Sequence, residues 1–433
     1  MNATLPHIQD ALRRARDAHA RLQQTRTIEQ IITALGQAAQ SWLIPDNPWR
    51  TRAIEQAPAA TGFSPAMIEE AIRLTFGPIT PSSLGELLDR ELGDRRVLDE
   101  FRPHGKVQAR ASGPPVITHI LAGNVPPPGI ISICCGLMLK SGNVVKLSQR
   151  DPVFPSLFVE SLRAVDSELA ASVTLLEWPR SETALTQAAV NGAGAVIAYG
   201  DDSAVNAVRR LLPDGAAFLG YGQKMSFAYI GKEAMTAENL PSLAEAAAFD
   251  VSVYDQQGCL SPHVIYVEER GALGPRKFAA ALAEAMGAFH ARIPRGTLSV
   301  EEASQISLTR SGYEFRAASD RRVAVWASSN PNDWAVIYED NPAFEPSCLN
   351  RVVFVKPTDG IPRVLDAIQR FASRISTVGL APMSERMNSF TNDLARLGVN
   401  RVCPIGQMQR PPLWWYHDGK PNLASLLRWT ELG

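Results

Sequence analysis

Val116-Ile-Thr-His-Ile-Leu-Ala-Gly-Asn-Val-Pro-Pro-Pro128 is where the chain changes character. Its first seven residues are β-branched and apolar, the composition of a strand buried on both faces. Gly123-Asn124 and three prolines follow as a rigid loop, because proline fixes φ and lacks a backbone donor. Gly129–Leu139 then reads as a buried helix. Three more apolar strands come at Asn143–Leu147, Val173–Glu177 and Ala195–Tyr199, most of them separated by helical patterns. That alternation predicts a parallel α/β sheet with nucleotide-binding potential at its strand ends. Ser226–Ile230 closes the region. Upstream, residues 8 to about 100 read as helical: Ile8, Leu12, Ala15 and Leu22 share one face of a 3.6-residue period. Ser64-Pro65 looks like a capped helix start. Downstream, a second α/β stretch has strands at His263–Val267, Val323–Trp326, Trp334–Tyr338 and Arg351–Val355, with helices at Pro275–Ala288 and Gly360–Ser373. The expected organisation is a helical region over 1–104, a dinucleotide-type α/β domain over 105–231, a second α/β domain over 232–408 and an aromatic, proline-rich tail over 409–433.

At 433 residues the chain is long enough for more than one core. Its net charge of −1 gives no general attraction to nucleic acid or anionic membrane. The five cysteines, an odd number without CxxC or Cys/His spacing, argue against a disulfide framework and a metal site, and for a reducing cytoplasm. The N-terminus lacks the basic start and apolar core of a signal peptide. The longest apolar run, Gly129–Leu139, is too short to span a bilayer.

Within the second α/β stretch, Tyr254-Asp-Gln-Gln-Gly-Cys-Leu-Ser-Pro262 sets Cys259 just after a glycine. A glycine there lets the backbone turn tightly and present the next side chain. A thiolate so presented is a nucleophile for carbonyl carbon. Cys134 and Cys135, in an apolar run, read as core. Asn124 has two readings: a turn residue, or an amide held rigidly enough to donate to an oxyanion. Lys146 is either a solvated strand end or a nucleotide clamp. Gly200-Asp201, after a strand, could open a helix near a pyrophosphate.

Taken in order, Leu121–Pro126, Ser141–Lys146, Asp255–Cys259, Cys348–Arg351, Ser376–Gly379 and His417–Gly419 resemble the aldehyde dehydrogenase superfamily. Within it they look like the acyl-thioester reductase family of bacterial bioluminescence. The resemblance implies that Cys259 becomes acylated, and that the Asn124 side chain and the Cys259 amide form the oxyanion hole. It implies that Lys146 contacts the adenosine ribose and that Gly200 lies near the pyrophosphate. Glu345 is its candidate for the second ribose contact.

Two departures from the superfamily pattern refine this. The segment matching its hydrolytic base is Gly220-Tyr-Gly-Gln-Lys224, with glycine in place of glutamate. Without a base, water is poorly activated to attack a thioester, which favours reduction over acid formation. The acidic residue expected three positions after the cofactor lysine is Gln149, beside Arg150. Loss of a carboxylate and gain of a cation point to NADPH over NADH. The implied reaction reduces an acyl-CoA or acyl-protein thioester to aldehyde in a homo-oligomer. The alternatives are an aldehyde dehydrogenase running oxidatively, or a non-catalytic scaffold for an acyl-activating or carrier protein.

Overall fold

The structure, a computed structural model, describes residues 3–433. The chain divides into two compact units, one comprising residues up to Thr61, Ile68–Gln223 and Pro412–Gly433, the other Gly62–Met67 and Lys224–Pro411.

In the first unit, helices Leu5–Thr25, Ile28–Ser41, Pro48–Thr61 and Pro81–Leu92 precede the strands. The first buries Ile8, Ala11, Leu12, Ala15, Ala18 and Leu22, the face its sequence period selects. The second starts at a capping box, with the Thr27 hydroxyl accepting from Gln30 N and the Gln30 side chain accepting from Thr27 N. Seven strands follow: β1 (Arg102–His104), β2 (Val107–Ser112), β3 (Val116–Ile120), β4 (Gly142–Lys146), β5 (Val173–Leu176), β6 (Ala195–Tyr199) and β7 (Ala217–Tyr221). Strands β3 to β7 form a parallel sheet in the order β5-β4-β3-β6-β7. From β3 the chain first adds strands on one side, then returns to add β6 and β7 on the other. The strand order therefore reverses between β3 and β6. The crevice beyond the strand ends at such a reversal is where open α/β sheets bind ligands.

His119 sits in the core of this sheet between the Ser132 hydroxyl and Asn143 Oδ1, at 2.8 and 2.9 Å. Burial holds its pKa down, to about 4. A histidine depressed in the folded state contributes stability that is complete above the unfolded pKa near 6.5 and lost as pH falls toward 4. The interval corresponds to about 3 kcal/mol. The stability advantage of the natural protein over a His119→Gln variant is therefore expected to shrink by about that amount between pH 7 and pH 4, as read from urea unfolding. A constant gap would contradict the neutral, buried imidazole.

The second unit contains β8 (Met225–Ile230), β9 (Pro262–Glu268), β10 (Val323–Ala327), β11 (Ala335–Glu339), β12 (Val352–Thr358), β13 (Ile375–Ala381) and β14 (Arg401–Pro404). They form one sheet in the order β10-β11-β12-β9-β8-β13-β14, with only β10 and β11 antiparallel among these strands. Alternate residues supply two cores: Phe227 and Tyr229 face one, Ala228 and Ile230 the other. Strand β8, expected to close the first α/β region, is thus in the middle of the second sheet. Its run of Phe, Ala, Tyr and Ile suits a strand covered on both faces and carries no mark of which sheet it joins.

The tail returns to the first unit. β15 (Arg428–Leu432) pairs antiparallel with β2 in a three-stranded sheet that the sequence reading did not foresee. Glu91 fixes the tail by accepting from the backbone N–H groups of Asn422, Leu423 and Ala424. Among the described residues no helix is long and apolar enough to cross a membrane.

Candidate active site

The sequence-predicted site residues fall in both units. Asn124, Lys146, Gln149, Arg150, Gly200 and Asp201 belong to the first, Cys259 and Glu345 to the second.

In the first unit these residues gather beyond the C-terminal ends of the parallel strands. Asn124 is partly buried in the loop after β3, and the prolines behind it start the helix Pro127–Met138. A Cβ on Gly123 would lie 2.6 Å from Ser148 Oγ and 2.7 Å from the amide nitrogen of Asp151. Only glycine lets the β3 and β4 loops approach so closely, so the loop holding Asn124 rests on the turn holding Gln149 and Arg150. Lys146 ends β4 and is not a solvated terminus. It is half-buried, its ammonium lies 5.5 Å from the centre of the Trp178 ring, and burial lowers its pKa. Gln149 and Arg150 are exposed.

Gly200 and Asp201 follow β6, on the other side of the strand-order reversal. Asp201 caps the helix Asp202–Arg209, accepting from Ala204 N at 2.8 Å. It also accepts from Arg180 and Ser203, at 3.1 and 2.6 Å. Hydrogen bonds to the charged form, Ser203 first, lower its pKa to about 2. That carboxylate occupies the helix start, so the loop is shaped by its own side chain.

Gly220 lies in β7. A Cβ there would stand 2.6 Å from Phe218 Cε1 and 2.7 Å from Val205 Cγ1. A glutamate would need repacking, so the missing carboxylate is built into the surrounding core. The tail covers this edge: Lys420 Nζ donates to Gly220 O at 3.3 Å, and His417 stacks on Tyr221 with ring centres 4.2 Å apart.

In the second unit Cys259 stands on a turn between the helical segment ending at Gln256 and β9. The sequence reading assigned the turn to Gly258. The positive φ values fall instead on Tyr254, Asp255 and Gln256, at 55°, 50° and 64°. Gly258 is not among the positive-φ glycines, and a Cβ on it would meet nothing closer than 3.4 Å. A second run, Leu349, Asn350 and Arg351, has φ of 62°, 61° and 60°. Left-handed backbone costs L-residues about 1 kcal/mol or more each, least for Asp and Asn. Two such runs persist only where surrounding contacts over-determine them, and such strain gathers at functional sites.

Those contacts are present. Arg351, 1% exposed, places Nε and Nη2 each 2.7 Å from Asp255 Oδ1. Gln256 accepts from Val352 N at 2.9 Å and donates to Pro262 O at 2.9 Å. Gln257 donates to Asn350 Oδ1 at 2.9 Å. The Cys259 backbone is held as well: Ser226 donates to Cys259 O at 2.7 Å and accepts from Thr377 N at 3.2 Å. Ser347 N donates to His263 Nδ1 at 3.1 Å, which leaves the ring proton on Nε2, and burial holds this histidine neutral with a pKa of about 4. The sequence reading missed this shell. Its signals were the motifs Asp255–Cys259, Cys348–Arg351 and Ser376–Gly379, in which no chemistry attached to any residue but Cys259.

The remaining cysteines are poor thiolate formers. Burial pushes Cys134 up to about 12 and Cys403 to about 11, and raises Cys135 and Cys348 as well. Glu345 is half-exposed; it accepts from the Tyr313 hydroxyl at 3.1 Å and lies 3.5 Å from Lys356 Nζ. Among the described residues no cluster of His, Cys, Asp and Glu could hold a metal ion.

A parallel sheet whose strand order reverses between β3 and β6, and a second α/β unit presenting a cysteine on a strained turn, describe an aldehyde dehydrogenase-like fold. Solved structures agree on the fold. NAD-dependent benzaldehyde dehydrogenase from Corynebacterium glutamicum superposes with a TM-score of 0.72 at 13% identity, over 100% of this chain and 91% of that one. Lactaldehyde dehydrogenase from Escherichia coli also gives 0.72, at 15% identity, over 100% and 92%. Residues 23–429 match the family described as Acyl-CoA reductase (LuxC), and the chain belongs to that family. Curated relatives include the long-chain acyl-protein thioester reductases of Aliivibrio fischeri, 27% identical over 93% of this chain and 82% of that protein, and of Vibrio harveyi, with the same identity and coverage.

Proposed function

We propose that this protein reduces an acyl thioester to the free aldehyde through an acyl-Cys259 intermediate. The observation that carries the reading is the placement of Cys259, in a chain of this family, on a turn whose strained backbone is tied down by buried side chains. The thiolate of Cys259 attacks the thioester carbonyl. Asn124 and the Cys259 amide steady the oxyanion; the donor thiol leaves and takes a proton. A bound nicotinamide dinucleotide supplies the hydride that reduces the acyl carbon. The carbon–sulfur bond then breaks, releasing aldehyde and restoring the thiolate. Gly220, with no room for a carboxylate, leaves water without a base at that position.

The strand-end crevice of the first unit suits the dinucleotide. Lys146 would hold the adenosine ribose, and Gly200 would let the backbone approach the pyrophosphate in a loop that Asp201 keeps in shape. Glu345 would reach the second ribose. Gln149 and Arg150, exposed where a carboxylate would repel a 2′-phosphate, favour NADPH. Arg150→Ala is therefore expected to weaken NADPH binding about tenfold and leave NADH binding unchanged, an effect of about 1.4 kcal/mol. Equal losses for both cofactors would remove Arg150 from the 2′-phosphate site. The acyl donor is a coenzyme A ester or an acyl-carrying or acyl-activating protein, and the enzyme works in the cytoplasm as a homo-oligomer.

The reading is tested by supplying a series of acyl-CoA esters of different length with NADPH or NADH and measuring aldehyde and acid. It requires aldehyde in proportion to dinucleotide oxidised, with no acid. Acid as the product, or turnover only from aldehyde with oxidised dinucleotide, would replace it with an oxidative reaction.

A further inference from the structure

Two left-handed runs face one another beside the thiol, one just before Gly258-Cys259 and one just before β12. Neither has a role in the chemistry proposed above. Four of their six residues, Tyr254, Gln256, Leu349 and Arg351, are types that rarely adopt this backbone alone. Something outside each run must hold it there.

We infer that Arg351 is a positioning residue for Cys259: locked on Asp255, its guanidinium joins the two left-handed runs and fixes where the thiol points. This rests on Cys259 being the acyl carrier. The guanidinium hydrogen-bonds through Nε and Nη1, while Nη2 is held by charge beside Asp255 without a hydrogen bond of its own. Nε and Nη2 meet Asp255 Oδ1, Nη1 donates to Ile293 O at 3.1 Å and lies 3.4 Å from His290 Nδ1, and Phe289 lies across its face at 5.3 Å. Asp255 is 5% exposed, so the pair is sealed from water.

From Asp255 the constraint passes along four residues to Cys259. That short path is stiff. Gln257 N donates to Tyr254 O at 2.9 Å and Ser261 N to Gly258 O at 3.0 Å. The Gln256 amide ties the path to the starts of β9 and β12. The Gln257 amide ties it to Asn350, which Arg295 holds in turn at 2.7 Å through its carbonyl and 2.5 Å through its side chain. Releasing the Arg351–Asp255 tie frees both runs to relax from the left-handed region and moves the thiol. Lysine cannot replace this arginine, because one ammonium cannot reproduce a fork that spans Asp255 and Ile293 together.

The test compares the natural protein with Arg351→Lys, with Asp255→Asn and with both together. The rate of acyl transfer from an acyl-CoA ester is followed by mass spectrometry of the peptide carrying Cys259, beside dinucleotide affinity and thermal midpoint. Misplacing a reacting atom by about 1 Å costs about 10²-fold in rate. Each single variant is expected to acylate Cys259 about that much more slowly, with dinucleotide affinity unchanged. The double variant should be no slower than the slower single, because the two side chains act as one tie. Asp255→Asn keeps the shape of the side chain but removes the charge that locks the guanidinium, so it carries the test if Arg351→Lys does not fold. A lower thermal midpoint with a natural acylation rate would make the pair structural only and overturn the inference. An adduct on another residue of the natural protein would overturn the reading of Cys259 and the inference together.

Discussion

Replacing Cys259 with alanine is expected to abolish acyl-enzyme formation and lower the rate of aldehyde production at least about 10⁴-fold, as loss of a covalent nucleophile does elsewhere. The change removes one half-buried sulfur and leaves the hydrogen bonds that hold the turn, from Ser226 to the Cys259 carbonyl and from Gln257 to Asn350. Stability should therefore change by less than about 1 kcal/mol. The other cysteines offer no substitute, since burial raises all four of their pKa values. Steady-state assay with intact-mass analysis checks this. An alanine variant that still gains an acyl group and still makes aldehyde would remove Cys259 from the chemistry.

Asn124→Ala should have the next largest effect, a fall in kcat of about 10²–10³-fold, or about 3 kcal/mol, the usual cost of one oxyanion donor. Both half-reactions pass through an oxyanion at the same carbon. Acylation measured in a single turnover and reduction measured from pre-formed acyl-enzyme should therefore slow together. Dinucleotide affinity should hold, because the loop keeps its shape through Gly123 and the prolines of the following helix. If acylation slowed and reduction did not, Asn124 would serve only the entry of the acyl group.

Many strands of both sheets were legible as unbroken apolar, β-branched runs, whereas Ala217–Tyr221, Ile375–Ala381 and Arg401–Pro404, whose runs are broken by Gly, Ser, Thr or Arg, were not read as strands. Val116–Ile120, Ala195–Tyr199 and Pro262–Glu268 announce themselves by composition. Sheet membership was less so: Met225–Ile230 reads the same whichever sheet receives it, and the pairing of Arg428–Leu432 with Val107–Ser112 spans most of the chain. The exposed residues of that last strand carry no buried-face pattern to betray it. In the candidate site, Cys259, Asn124 and Lys146 could be singled out because their chemistry is visible in the side chain. The shell around Cys259 could not. A left-handed backbone at Tyr254, Gln256, Leu349 and Arg351 opposes local preference and exists only through contacts between segments about a hundred residues apart. Gly258 drew attention as the obvious turn-maker, while the strain lay in the three residues starting at Tyr254.

The most direct test of the central claim is a divided turnover. The natural protein is incubated with an acyl-CoA ester without dinucleotide, freed of excess ester, mapped by mass spectrometry and then given NADPH. A single acyl group on Cys259 that disappears on addition of NADPH, with one equivalent of aldehyde released, is the predicted result. An acyl group on another residue, or one that stays on Cys259 when NADPH is added, would contradict it.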